Sequence, residues 1–375
     1  MPVVEAIGRL DEVTERDWNS LVGDHGFYLS YDWLRYVEAE QAEVPRYLIA
    51  RKAGVPCGAL PLYRVLRSPN VRYRAEHYKE QLGLDGPALV AGACRGYRST
   101  LLPPPAPDRR ETLASLIQRA REEAAAQGCA GLVLPFLTTP TLLGVASVVP
   151  VRAAFDLPES QLVGCDQGLG AYTGSMRKSA REKIRLDQRR FELAGWTVRE
   201  RSLNDCWRDA AGLLYQLERK HGHTHRTREQ LESQLASQAK YLADSSLVVT
   251  CEDDEGIAGM CVHYRWRDAL FARMAGFDYD RLRGGHEYFT LAMYRPIEYA
   301  AREGLPHVYL GPGSWEAKAY RGAIVRPLWT AFVPAGASPG THGIDLVNPE
   351  AVAQFTAEIT GKKVSYEPRE WHPAG

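Results

Sequence analysis

An α/β (α+β) fold of two tandem domains, each a mixed and mainly antiparallel sheet flanked by helices, is predicted by three observations. The order helix, helix, strand meander, helix, strand can be traced twice along the chain. The 375 residues exceed one ordinary domain. A stretch carrying Gly164, Gly168, Gly170 and Gly174, from Leu157 onward, separates the two runs. The expected divisions are residues 1–160, a degenerate first domain; 161–335, the second domain with the functional site; and 336–375, a C-terminal extension.

In the first run, residues 3–9 read as a strand, and Thr14 caps a helix through Leu21, with Asp17 near its third position. A second helix starts at about Ser30, where Leu34 and Val37 lie three residues apart. The strands 46–50 and 58–63 flank the turn Ala53-Gly54-Val55-Pro56. Residues 64–110 read as long loops, with a strand only at 87–90. Leu113, Leu116, Ile117 and Ala120 share one helical face over 111–127, and Gly128 stands where a C-terminal cap belongs. A buried strand at 132–136, a short apolar helix at 140–147 and a strand at 151–157 complete the half.

The second run opens with a basic segment from Ser175 to Ala194. Arg177, Arg181, Arg185 and Arg189 recur every fourth residue, which builds one ridge on a helix. After a strand at 196–200, helices are expected at 205–220 and 227–242. His221, His223 and His225 lie in the loop between them. Strands follow at 247–252, 257–266 and 269–277, then a helix from about Gly285 to Arg302. The last strand ends at Leu310, and Gly311-Pro312-Gly313 turns the chain into Trp315-Glu316-Ala317-Lys318-Ala319-Tyr320-Arg321-Gly322. In this cluster Lys318 and Arg321 share one face of a helical turn.

Composition narrows the class of protein. Apolar residues make up 45% and charged residues 25%, the balance of a folded globular chain. Lys+Arg and Asp+Glu both total 46, so no global field draws the chain to nucleic acid or membrane, and a polyanion has to be met locally. The seven cysteines are scattered and form no C-x-x-C pair, which argues against a disulfide framework or structural zinc and fits a reducing cytoplasm. The N-terminus lacks a basic start followed by an apolar core, and no stretch has the length and apolarity of a membrane span, so no membrane insertion is expected. No G-x-S-x-G elbow, P-loop or H-E-x-x-H motif occurs, so a hydrolytic enzyme is not expected.

The repeated order resembles that of the Gcn5-related (GNAT) acyltransferases, and two copies in one chain resemble the Fem family, which transfers amino acids from aminoacyl-tRNA. Tyr28-Leu29-Ser30-Tyr31-Asp32-Trp33-Leu34 looks like that family's early "fls-x-x-W" segment, and Phe289 to Ala300 looks like its second-half helix. Lys318-Ala319-Tyr320-Arg321-Gly322 is similar to the K-x-x-R-G that closes the Fem-like group labelled peptidoglycan biosynthesis or recognition proteins. The chain departs from that group at Tyr288 and Thr290, where relatives carry a His and an acid. In GNAT enzymes a [QR]-x-x-G-x-[GA] loop wraps the pyrophosphate of coenzyme A. Here it reads Arg281-Leu282-Arg283-Gly284-Gly285-His286, and the His286 side chain stands where close backbone approach needs a small residue.

The resemblance implies an aminoacyl-tRNA-dependent aminoacyltransferase. It would form an amide on a cell-wall (peptidoglycan) precursor or on a small amine of secondary metabolism such as antibiotic biosynthesis, with no cofactor. An acyl-coenzyme A N-acyltransferase and a non-catalytic binder of peptidoglycan fragments or nucleotide sugars are the rival implications. Attack of an amine on an ester develops negative charge on the carbonyl oxygen, and one well-placed donor lowers that barrier by about 3–4 kcal/mol. Lys318 is the candidate for this task, Arg321 for gripping an anion in two prongs, and Glu316 for accepting the amine's proton. Trp315, Tyr320, Tyr288, His221, His223 and His225 are candidate substrate contacts; a surface loop fits the three histidines equally, and no metal is expected. Arg177, Lys178, Arg181, Arg185, Arg281 and Arg283 are candidate tRNA- or phosphate-binding residues, although a solvated helix face also fits the ridge.

Overall fold

The computed structural model describes every residue except 1, 41–42, 66–67, 69, 103–106, 223–224, 337–341 and 374–375. The chain forms two compact units. The first comprises Met1–Pro158, Arg326–Lys363 and Glu367–Gly375; the second comprises Glu159–Val325 and Val364–Tyr366.

The first unit begins with β1 (Val3–Ile7), α1 (Glu15–Leu21), α2 (Tyr31–Ala39), β2 (Glu43–Lys52) and β3 (Val55–Val65). Thr14 and Ser30 cap the two helices, their hydroxyls accepting the N–H groups of Asp17 and Trp33. After short turns come α3 (Lys79–Leu82), β4 (Ala88–Ala91), α4 (Arg109–Ala126), β5 (Gly131–Leu137), α5 (Thr139–Ala146) and β6 (Pro150–Val163). β1, β2, β3 and β4 pair antiparallel in sequence, and β4 then pairs parallel with β5. Trp18 and Trp33 are fully buried, and their indole N–H groups donate to the carbonyls of Leu29 and Cys94 at 2.8 and 2.9 Å.

The second unit repeats that order. It contains α6 (Gly168–Gly174), α7 (Lys178–Leu193), β7 (Thr197–Arg201), α8 (Leu203–Lys220), α9 (Arg228–Leu242), β8 (Ser246–Asp253), β9 (Gly256–Trp266) and β10 (Ala269–Phe277). Then follow α10 (Glu287–Phe289), a π-turn over Thr290–Tyr294, α11 (Arg295–Glu303), β11 (His307–Gly311) and α12 (Trp315–Ala319). β7 to β10 pair antiparallel and β10 pairs parallel with β11, the pattern of the first unit. The chain finally runs through β12 (Ile324–Pro334), β13 (Gly343–Leu346) and α13 (Pro349–Gly361), and β12 pairs antiparallel with β5.

Four expectations are corrected. The strand placed at 151–157 runs on to Val163, because Ser160 to Val163 pair antiparallel with β11 and Leu162 enters the second unit's core. The glycine-rich stretch after it is mostly helical: Gly164 takes a positive φ of 76° at a turn, Gly168 opens α6 at φ 81°, and Gly170 and Gly174 lie within α6. The single helix expected over 285–302 is interrupted by the π-turn. Pro296 has no N–H to offer the Ala292 carbonyl four residues back, and that carbonyl instead faces His263 Nε2 at 3.4 Å. Burial lowers the pKa of His263 to about 4 and keeps its ring neutral. Residues 336–375, read as an extension, supply β13 and α13, and cluster mainly with the first unit.

β10 lies close against α8 because Gly276 has no side chain. A Cβ there would stand 2.7 Å from the backbone of Leu213 and Leu214. Gly276→Ala is expected to lower stability by about 1–3 kcal/mol, read from the urea unfolding midpoint.

Candidate active site

The site is a pocket of about 640 Å³ in the second unit, lined by Lys183, His286, Phe289, Ser314, Trp315, Glu316, Ala317, Tyr320 and Arg321. Three elements build it. β11 ends at Gly311, whose φ of 68° turns the chain, and Ser314 at φ 52° starts α12. That short helix places Trp315, Glu316, Tyr320 and Arg321 around one opening. The other walls are α7, through Lys183, and the start of α10, through His286 and Phe289.

A buried ion pair lies behind the pocket. Arg321 Nε donates to Asp187 Oδ2 at 2.6 Å and to the Tyr294 hydroxyl at 3.0 Å, while Tyr294 donates to the same carboxylate oxygen at 2.6 Å. Arg321 Nη1 donates to the Ala317 carbonyl at 2.9 Å. The guanidinium carbon lies 3.2 Å above the Phe289 ring centroid, so an aromatic face and a carboxylate hold it from two sides. Burial, and then the Asp187 carboxylate, push the Tyr294 phenol pKa upward, which keeps it a neutral donor. His286 stands above this network with Nδ1 3.9 Å from Asp187 and Nε2 2.7 Å from Arg190 Nη1.

Lys318 lies beneath the pocket rather than in its lining. Only 2% of it is exposed, and Nζ donates to the carbonyls of Leu310 and Gly311 at 2.7 and 3.3 Å. The ammonium thus ties α12 to the end of β11. Burial lowers its pKa to about 8, opposed by the negative potential of Cys261 and Glu159.

The predicted residues divide accordingly. Trp315, Glu316, Tyr320 and Arg321 meet in the pocket, with Lys318 directly behind them. Tyr288 is half-buried against Phe277 and Phe289 and does not line the pocket. His221 and His225 are exposed at the α8–α9 loop, and His223 lies outside the described residues. Arg177, Lys178 and Arg185 are exposed, and Arg181 donates to the Met176 carbonyl; none of them lines the pocket. Arg281 and Arg283 both pair with Asp253.

Sequence reasoning passed over Asp187, Lys183 and the part played by Phe289 and Tyr294. Asp187 had a signal. Ala180, Ile184, Asp187 and Phe191 are the buried positions of α7, so a lone carboxylate sits on the apolar stripe of a basic helix. Lys183 and Arg190 flank it; Lys183, not the Arg181–Arg185 ridge, lines the pocket, and Arg190 meets His286.

No protein-family model matches the sequence, and no curated protein does. FemX superposes with a TM-score of 0.61 at 11% identity, covering 88% of this chain and 98% of its own. The chain has the Fem-like tandem GNAT fold. A conserved protein of unknown function from Bacteroides thetaiotaomicron gives a TM-score of 0.58 at 9% identity over 86% of this chain and 98% of its own. A tandem GNAT protein from the clavulanic acid biosynthesis pathway gives 0.52 at 15% identity over 90% and 100%.

Two outcomes follow from the buried charges. Asp187→Asn leaves the Arg321 guanidinium buried without its counter-charge and is expected to cost about 3–5 kcal/mol in urea unfolding. Lys318 is harder to protonate folded, at a pKa of about 8, than in the unfolded chain, near 10.5. The unfolded state therefore binds more protons between these values, and the contribution of Lys318 to stability rises with pH across that window. The stability difference between wild type and Lys318→Met should shift in favour of wild type between pH 8 and 10.5; a constant difference would contradict the assignment.

Proposed function

We propose that the protein is an acyltransferase that moves an amino acid from aminoacyl-tRNA to an amine and forms an amide. The observation that carries this reading is the convergence of Glu316, Arg321 and the buried Lys318 at the end of β11, beside an open pocket with aromatic walls. The Fem-like fold and the K-x-x-R-G segment support the donor class, and the acceptor is a cell-wall precursor or a small amine.

In this reaction the amine nitrogen attacks the ester carbonyl carbon. The C–N bond forms, the C–O bond to the ribose breaks, and the ribose oxygen leaves with a proton that originates on the amine. Glu316 is the proposed first acceptor of that proton. Lys318, bonded to the Leu310 and Gly311 carbonyls behind the pocket lining, is the proposed source of positive potential for the carbonyl oxygen as negative charge develops, acting from behind α12. Arg321 is held too firmly by Asp187 to move; its Nη2 is the edge left for a substrate carboxylate or phosphate.

The deciding experiment offers the full chain labelled aminoacyl-tRNAs or acyl-coenzyme A with a panel of amines and follows which donor is consumed. Consumption of aminoacyl-tRNA with amide formation is the expected result, and consumption of acyl-coenzyme A alone overturns it. Lys318→Met should lower kcat by about 10²–10³-fold. In wild type, kcat should fall as pH rises through about 8, where the ammonium is lost.

A further inference from the structure

The turn Arg281–His286, between β10 and α10, has the position of a phosphate-binding loop at a helix start. Its cationic side chains are already spoken for within the chain. Arg283 Nη2 donates to Asp253 Oδ2 at 2.6 Å, and Arg281 Nη2 donates to Asp253 Oδ1, so one carboxylate on the β8–β9 hairpin holds both guanidinium groups. Arg281 Nη2 also reaches the Gly256 carbonyl at 3.0 Å, and Arg283 Nη1 reaches that of Ala194 at 2.9 Å. The Arg283 guanidinium lies flat on Trp196, 3.8 Å from the ring centroid.

A second carboxylate belongs to the turn itself. Glu287, the first residue of α10, is 4% exposed, and its Oε1 accepts the Arg283 backbone N–H at 3.0 Å and the Trp196 indole N–H at 3.1 Å. A buried carboxylate is costly unless hydrogen-bonded, and these two donors compensate it. The turn is also packed from behind: a Cβ on Gly285 would stand 2.9 Å from that of Ala194 and 3.3 Å from the Phe191 Cα. At its end His286, at φ 56°, directs its ring to Arg190.

We propose that Glu287 and Asp253 determine ligand specificity at this turn: they supply from within the chain the negative charge that a pyrophosphate would bring, and so close the turn to coenzyme A and other pyrophosphate-bearing donors. A pyrophosphate placed here meets two fixed carboxylates and two arginines whose charge is already compensated. The carboxylates repel it, and the guanidinium groups have no reason to leave Asp253. The word donor rests on the acyl-transfer reading above, whereas the closure itself is a statement about binding, so the two can fail separately.

The test is titration calorimetry of the full chain with coenzyme A and, separately, inorganic pyrophosphate at low salt. Wild type should bind neither more tightly than about 1 mM. Glu287→Gln keeps the acceptor oxygen and removes the charge; Asp253→Asn releases both arginines. Each should tighten coenzyme A binding, and the double variant should do so by about tenfold or more, with the gain lost at high salt. Thermal unfolding of each variant establishes that it is folded, and Asp253→Asn, at a half-exposed hairpin end, serves if Glu287→Gln does not fold. Micromolar binding of coenzyme A by wild type overturns the proposal, and so does a folded variant that binds no better than wild type.

Discussion

The ion pair between Asp187 and Arg321 is the contact on which the site depends. It joins α7 to Arg321, two residues past α12, with both side chains almost wholly out of water. In such a setting the pair adds little net stability, because desolvating two charges offsets their attraction. What it gives is direction. With Nε on Asp187 and Tyr294, and Nη1 on Ala317, the guanidinium has one orientation, and Phe289 closes the face it does not use. Gly322 follows at φ 91°, where a Cβ would meet Met176 at 2.1 Å, so the backbone beside the pair is fixed by close packing as well.

Lys318 and Arg321 share a segment but do different physical work. The arginine is fully charged and compensated by a carboxylate. The lysine donates to two backbone carbonyls, and burial lowers its pKa to about 8, opposed by Cys261 and Glu159. A group poised near neutrality changes charge with small changes in its surroundings, whereas the paired arginine does not. Lys318 is therefore the adjustable charge of the site and Arg321 the constant one.

Much of this was legible in the sequence where the signal is local. The second meander, with its hairpin turns at Asp253–Gly256 and Arg267–Asp268, and the α12 cluster, all contiguous in the chain, fell where their patterns placed them. The failures were non-local. Asp187 does not stand out in a basic helix, because only its partner 134 residues away shows why an apolar stripe carries a carboxylate. The π-turn leaves the Ala292 carbonyl, which Pro296 cannot serve, facing His263 on β9, a neighbour the local sequence does not show. The end of β6 looked like loop because Pro158 and the glycines after it obscure a strand that exists by virtue of β11. The regular spacing of Arg177, Arg181 and Arg185 put one ridge on a helix, but Arg177 is the extended residue before α7, and the spacing said nothing of which surface faces the pocket.

The division of the chain bears on how it is made. The second unit is almost one uninterrupted segment, Glu159–Val325, while the first needs Arg326–Lys363 as well as Met1–Pro158. During synthesis the first 158 residues leave the ribosome without β12, the strand that pairs with β5. The inserted unit can close once residue 325 has emerged, save for a contribution from Val364–Tyr366, and the unit that was started first must wait for the last part of the chain. The long segment of the second unit is thus complete in the growing chain before β12 is available to the first. For the same reason no single cut divides this protein into its two units: a fragment ending at Pro158 lacks a strand, and one beginning at Glu159 carries that strand without its partner.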